Sequence, residues 1–300
     1  MVGTGAVGSY YGGRLAAAGE DVRFLVRSGW EEWRAHGLRV ASAAGDFVVE
    51  RPQVFPTSAQ IGPVDLVVVA WKATSNHHFA EVLPPLLHES TAILTLQNGL
   101  GNTERLAELF GAQRVLGGLC FVCINRTGPG KIHHQAKGLV SVGEFAGGMS
   151  ERLREIERRF TAASIQCRAV ENLAAAQWAK LVWNVPFNGL CIAEGGITTR
   201  DLLSAAGGEE EVRAVMLEVI AGAAALGLDL PEVMVEEQIA ATREMGAYRP
   251  SSMIDYVEGR AVELNAIWEE PLRRARAAGA DTPHWERLCG RIKSRLASRG

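Results

Sequence analysis

The chain has 300 residues, 47% of them hydrophobic and 22% charged, with a formal net charge of −3. That content supports two ordinary domains, expected at 1–170 and 171–300, and the scattered Lys and Arg exclude the clustered basic footprint that nucleic acid requires. Five dispersed cysteines read as reduced thiols rather than a disulfide framework. Neither a basic-then-apolar leader nor an apolar run of about eighteen residues occurs, so a cytoplasmic protein without a membrane span is expected.

Gly3-Thr4-Gly5-Ala6-Val7-Gly8 has the G-x-G-x-x-G order of a dinucleotide-binding turn and opens a small-residue helix, Ser9 to Ala18, ending at Gly19. Gly3 permits the turn, Gly5 lets the backbone meet a pyrophosphate, and Gly8 lets the helix pack on a strand, with the phosphates at the helix N-terminus. The whole stretch, including Thr4, Ala6 and Val7, is therefore a candidate cofactor segment. In a chain with 33 glycines the motif alone is weak, but a strand-like run, Asp21 to Arg27, follows the helix. Only Met1 and Val2 stand where a central first strand belongs, so the natural start is expected upstream. At the end of the second strand, about 20 residues beyond the glycines, an acidic residue would select NAD. Arg27 stands there instead, suited to a 2′-phosphate and so to NADPH; the alternative is a solvated arginine at a strand end.

Leu38 to Val40 and Phe47 to Glu50 read as a hairpin set apart from the main sheet. Val64 to Trp71 is a run of the kind buried on both faces, and it delivers Lys72 at its carboxyl end, where open α/β sheets bind ligands. Lys72 is thus a cofactor or anion contact, against the alternative of a surface lysine. His77 and His78 open the next helix as solvated or capping residues. Thr91 to Leu96 is a second buried strand, and Asn98 follows it with an amide suited to a nicotinamide or a substrate carbonyl, or equally to a local turn. Cys120 and Cys123 invite a zinc reading, which Phe121, Val122 and Ile124 oppose by marking a buried strand with apolar cysteines; no metal is expected. Lys131 to Gln135 and Leu139 to Gly143 read as two strands, Glu151 to Ala163 as a helix, and Ile165 to Val170 as the closing strand.

From Glu171 onward the apolar spacing is helical. Asn172 can cap a helix from Leu173 to about Val185, on which Lys180, Asn184 and Asn188 share one face if it continues through Pro186, a residue expected to kink it. Polar groups on so apolar a helix are costly to bury without a partner or ligand, and the two asparagines point to a site. Thr198 to Asp201 looks like a loop and cap. Glu209 to Ala225 and Pro231 to Met245 are helices, Tyr248 to Met253 a polar loop, Val257 to Ala278 a long helix kinked at Pro271, and His284 to Ser298 a final helix with a basic, solvated face.

Four stretches together resemble the ketopantoate reductase family: Gly3 to Gly13 with Arg27; Trp71-Lys72-Ala73 with Gln97-Asn98-Gly99; Trp178 to Leu181 with Asn184 and Asn188; and Ser251 to Met253 with Gly259, Arg260 and Glu263. The resemblance implies an α/β fold with an N-terminal Rossmann-type parallel-sheet domain, an all-α C-terminal domain, and an active site in the cleft between them. It further implies NADPH-dependent reduction of a 2-oxo acid, ketopantoate to pantoate, in pantothenate and coenzyme A biosynthesis. By position, Lys180 matches the proton-donating lysine; Asn184, Asn188 and Ser252 match substrate contacts. Lys72, Asn98 and Glu263 match cofactor-side and active-site polar residues, and Arg27 the 2′-phosphate contact. Cys123 is counted with the cofactor-side residues.

The chain departs from the family pattern on the substrate side. Asn188 is followed by Gly189-Leu190-Cys191 where the family has Pro-Leu-Thr, an expected asparagine near Ile197 to Thr199 is missing, leaving Thr198 as the nearest polar candidate, and the Ser252 to Glu263 interval is one residue short. In the mechanism expected, Lys180 polarises and protonates the carbonyl oxygen, while Asn98 and Glu263 orient it and the nicotinamide ribose. Other readings are a different Rossmann-plus-helical hydroxyacid dehydrogenase and a non-catalytic NADPH-binding protein. A 2-oxo acid is the expected small-molecule partner, and a homodimer is compatible with the sequence.

Overall fold

A computed structural model describes residues 1–299. By its internal contacts the chain forms two units, one of Met1–Asn98 with Asn102–Leu173, the other of Gly99–Gly101 with Ala174 onward.

The first unit runs α1 (Ala6–Ala17), β1 (Arg23–Leu25), α2 (Trp30–His36), β2 (Leu38–Ser42), β3 (Phe47–Val49), β4 (Gln53–Phe55), α3 (Ser58–Ile61) and β5 (Leu66–Val69). A 3₁₀ segment at Ala73–His78 then leads into α4 (Phe79–Val82), β6 (Ala92–Thr95), α5 (Asn102–Phe110), β7 (Val115–Gly128), β8 (Lys131–Glu144), α6 (Glu151–Ala162) and β9 (Cys167–Ala169). β5, β6 and the start of β7 are parallel, and all four residues of β6 are buried, as expected of apolar strands covered on both faces. Val2 takes the central slot: it forms parallel bridges to Leu25 of β1 and to Val69 of β5, its N–H donating to the Val68 carbonyl at 2.8 Å and its carbonyl accepting from Ala70 at 2.7 Å. With β4 parallel to β1, the strands read β4, β1, Val2, β5, β6, β7, which is the doubly wound order.

The sheet corrects three expectations. The β2–β3 hairpin belongs to the main sheet, because β2 pairs in parallel with β8 over Arg39 to Ser42. β8 is one strand, not two: its register with β7 shifts at Phe121/Val122 and Cys123/Ile124, and Lys137, at φ 64°, lies among these irregularities, so the extra residues are taken up without ending the strand. Cys120 and Cys123 are half-buried rather than buried, because they lie in the middle of β7, where the full burial of its first five residues gives way to partial burial. α6 follows its sequence pattern, burying Leu153, Ile156 and Phe160 and capped by Ser150, whose hydroxyl accepts from Leu153 N–H at 3.1 Å.

The second unit is helical: α7 (Leu173–Ala193), whose first residue is the last of the first unit, α8 (Thr199–Ser204), α9 (Gly208–Ala225), α10 (Val233–Glu244) and α11 (Ser251–Val257), then a π turn (Asn265–Glu269) running into α12 (Glu270–Ala277), and α13 (Pro283–Ala297). α7 continues past Pro186 instead of stopping near Val185. An interior proline costs about 3 kcal/mol, whereas Phe187, Leu190 and Ile192, all fully buried beyond it, each return roughly 1.5 to 3 kcal/mol. The long helix expected over 257–278 is interrupted: α11 ends at Gly259, whose φ of 69° is left-handed, and Arg260 N–H closes onto the Asp255 carbonyl at 2.8 Å. Ser251 and Ser252 therefore begin a helix rather than line a loop, and Pro271 sits in the first turn of α12, where its missing N–H costs little. Among the described residues no helix is long and apolar enough to cross a membrane.

Candidate active site

In the first unit the glycine turn lies at the carboxyl end of the central slot, against that of β5. Gly3 has φ 95°, and a Cβ there would collide with the Trp71 backbone. A Cβ at Gly8 would overlap the Gly3 carbonyl oxygen and come within 3.0 Å of Ala70 Cβ, so this glycine sets the distance of α1 from the sheet. Gly5 is different: nothing lies within 4 Å of the place its Cβ would take, and no side chain caps the start of α1. Open N–H groups above a bare glycine fit the pyrophosphate of a dinucleotide. Thr4 anchors the turn to β1 through its hydroxyl and the Leu25 carbonyl at 3.4 Å, while Ala6 and Val7 form the first turn of α1. Arg27 is exposed two residues past β1.

Lys72 follows β5 and Asn98 follows β6, both half-buried at carboxyl ends. Their loops are joined by Asn76 and Asn102, which the sequence reading did not single out, with Trp71 and Gln97. Asn76 accepts from Trp71 Nε1 at 3.3 Å and from Gln97 Nε2 at 2.7 Å, and donates to Asn102 Oδ1 at 2.7 Å; Asn102 in turn donates to the Asn98 carbonyl at 2.9 Å. The available signal was Gln97 and Asn102, polar residues that follow a fully buried strand. Cys123, half-buried, pairs with Ala136 across β7 and β8.

In the second unit Lys180, Asn184 and Asn188 lie one turn apart along α7. Asn184 and Asn188 are 8% and 2% exposed, so the polar face is buried rather than a solvent stripe. The structure brings Ser252 to them: Asn188 Nδ2 donates to the Asn184 carbonyl at 3.2 Å, and its Oδ1 accepts from Ser252 N–H at 2.9 Å, fixing the first turn of α11 against α7. Asn188 thus spends both ends of its amide on architecture. Among the described residues the Asn184 amide and the Ser252 hydroxyl have no partner, though both residues are over 90% buried, which leaves them able to receive a ligand. Glu263, 8% exposed, precedes the turn into the π segment. Thr198 is not grouped with these residues; its hydroxyl makes a capping box with Asp201 at the start of α8, and those bonds, first of all the one from the Thr198 side chain, hold the Asp201 carboxyl below its usual range.

The sequence model of the family described as ketopantoate reductase PanE/ApbA matches residues 1–147, and that of its C-terminal domain matches residues 172–295. A 2-dehydropantoate 2-reductase of Nostoc sp. is 38% identical over 98% of this chain and 93% of its own length. The crystal structure of 2-dehydropantoate 2-reductase from Geobacter metallireducens is 42% identical, covers 98% of both chains and superposes with a TM-score of 0.95. D-mandelate dehydrogenase, solved with NADH and anilino(oxo)acetate, shares the fold at 20% identity and a TM-score of 0.88, covering 99% of this chain and 97% of its own. With both halves of the sequence matched and the relatives aligned nearly end to end, this chain belongs to the ketopantoate reductase family.

Proposed function

We propose that this chain reduces 2-dehydropantoate to pantoate with NADPH, a step of pantothenate and coenzyme A formation. The observation that carries the reading is the buried polar face of α7 with Ser252 bound to it, in a chain whose other unit presents an open glycine turn.

The turn Gly3–Gly8 would hold the pyrophosphate, Arg27 the 2′-phosphate, and Lys72, Asn98 and Cys123 the remainder of the dinucleotide. Bound there, the reduced nicotinamide supplies the hydride. Reduction builds negative charge on the substrate carbonyl oxygen, and Lys180 meets it, first polarising the carbonyl and then passing a proton to the oxygen. Asn184 and Ser252 bind the substrate's carboxylate and hydroxyl, and Asn188 holds them in place. Glu263, an anion on the same unit, orients the Lys180 ammonium. An ammonium donor of this kind accounts for about 10² to 10⁴ in rate.

The test is NADPH oxidation followed by absorbance against a panel of 2-oxo acids, with NADH in parallel. Turnover of 2-dehydropantoate with NADPH, lowered about 10² to 10⁴ in kcat by Lys180→Ala, is expected. A Lys180→Ala protein with wild-type turnover refutes the assignment.

A further inference from the structure

The polar side chains between the β5 and β6 loops form a directed chain. Thr95, 3% exposed at the end of β6, accepts the Gln97 N–H at 3.3 Å and donates its hydroxyl to Gln97 Oε1 at 2.8 Å. Gln97 Nε2 is then the donor to Asn76 Oδ1, Asn76 Nδ2 the donor to Asn102 Oδ1, and Asn102 Nδ2 the donor to the Asn98 carbonyl. Two groups of fixed polarity select this direction independently. The Trp71 indole can only donate, so Asn76 faces it with oxygen; the Asn98 carbonyl can only accept, so Asn102 faces it with nitrogen. The two agree, the Thr95 hydroxyl turns its proton to suit the Gln97 oxygen, and no amide in the chain can flip without setting like groups face to face.

We propose that Asn76 is a positioning residue for the cofactor edge, the hub through which the loop carrying Lys72 fixes the backbone at Asn98. Among the described residues it hydrogen-bonds to neither the glycine turn nor Asn98 itself. It binds Trp71, the neighbour of Lys72, and it reaches Asn98 through Asn102. The proposal deepens the reading of Lys72 and Asn98 as cofactor contacts and rests on it for its effect on NADPH. The order it imposes on residues 98–102 exists without cofactor.

Two variants separate its parts. Asn76→Leu keeps the approximate volume and removes every bond; Asn76→Asp keeps the acceptor for Trp71 and Gln97 but, when ionised, sets an oxygen against Asn102 Oδ1. Hydrogen exchange at residues 97–103 of the apo protein is read beside NADPH titration. Both variants are expected to lower protection there and to weaken NADPH about tenfold at pH 8, a single buried hydrogen bond's worth. As the pH is lowered until the Asn76→Asp carboxyl protonates, it regains a donor and protection returns toward wild type, while Asn76→Leu stays defective. Should Asn76→Leu fail to fold, the pH-dependent recovery of Asn76→Asp alone decides. Unchanged protection in Asn76→Asp at pH 8 overturns the proposal. A wild-type protein that binds no NADPH sinks the functional reading instead, and the exchange data still decide whether Asn76 orders the loop.

Discussion

Gly5 and Gly8 belong to one motif, yet the structure gives them separable tasks, and alanine at each should fail differently. At Gly5 the backbone has φ −73° and ψ −162°, open to any residue, and an added methyl meets nothing within 4 Å. Alanine is a poorer N-cap than glycine by about 1 kcal/mol, and the loss of unfolded-chain freedom returns about 0.4 to 1 kcal/mol. Stability should therefore change by less than about 0.5 kcal/mol, a Tm shift of about 2 °C or less for a chain of this size. The methyl does occupy the space over the open N–H groups of α1. Losing one charge-assisted bond to phosphate costs about 1.5 to 3 kcal/mol, so NADPH should bind at least about tenfold more weakly. At Gly8 the methyl overlaps the Gly3 carbonyl oxygen and crowds Ala70. Overpacking of that kind costs about 1 to 3 kcal/mol and should lower the apo Tm by roughly 3 to 10 °C. Thermal melting without cofactor and a fluorescence titration with NADPH read the two effects separately. A Gly5→Ala protein that binds NADPH as tightly as wild type, or a Gly8→Ala protein that melts with it, refutes the reasoning.

Replacing Arg27 with Ala should weaken NADPH by about tenfold or more while leaving NADH within about twofold, since only the 2′-phosphate loses its partner; equal loss for both cofactors would place Arg27 elsewhere. Glu270, held at about 2 by its bond to Arg273 and then Arg274, contributes stability that is complete above 4.5 and is lost as pH falls from 4.5 towards 2. Its first partner, Arg273, is largely exposed, so solvent screening limits the gain to about 1 kcal/mol, and Glu270→Gln should lower Tm by about 2 to 4 °C at pH 7 and not at pH 2. Glu218 reaches from α9 to accept from the His284 and Trp285 N–H groups at 2.9 and 2.7 Å, and Glu218→Ala should cost about 2 to 4 kcal/mol with early exchange at the start of α13; an unchanged melt would show that the cap is dispensable. Burial pushes the Cys167, Cys191 and Cys289 thiols up to about 12, so alkylation at pH 8 should spare them and find half-buried Cys123, more slowly when NADPH is present.

The parts of the site that were legible in the sequence are those written in local spacing. The glycine turn and the Lys180, Asn184, Asn188 ladder are periodic within one element, and a period survives without its tertiary partners. What was illegible was made by pairing across the chain. β2 looked detached because its partner, β8, lies about ninety residues on, and nothing in the hairpin announces a parallel neighbour. The helix expected over 257–278 was read through Gly259, whose left-handed φ and closure by Arg260 end α11. Asn76 escaped notice for the same reason: an isolated asparagine in a polar segment has a hundred uses, and only the meeting of the β5 and β6 ends gives it one.

The departures from the family pattern on the substrate side carry less weight once packing is considered. Where the family has proline after its second asparagine, Gly189 faces Trp268: an added Cβ would lie 2.7 Å from the indole nitrogen, 2.9 Å from Leu288 Cδ2 and 3.1 Å from Ile292 Cδ1. That indole is fully buried and donates to the Val185 carbonyl at 2.9 Å, so α7 is braced from the π segment in the turn that separates Asn184 from Asn188. Glycine is what admits the tryptophan, and the tryptophan brings a hydrogen-bond donor to the stretch just before Pro186. Cys191 likewise lies within the core, its thiol inert through burial. Neither substitution adds a group that could meet a substrate. Thr198, on the other departure, is committed to the α8 cap. The chemistry at these departures is thus spent on packing and capping, while the Asn184 amide and the Ser252 hydroxyl, without partners among the described residues, are ones the pattern retains.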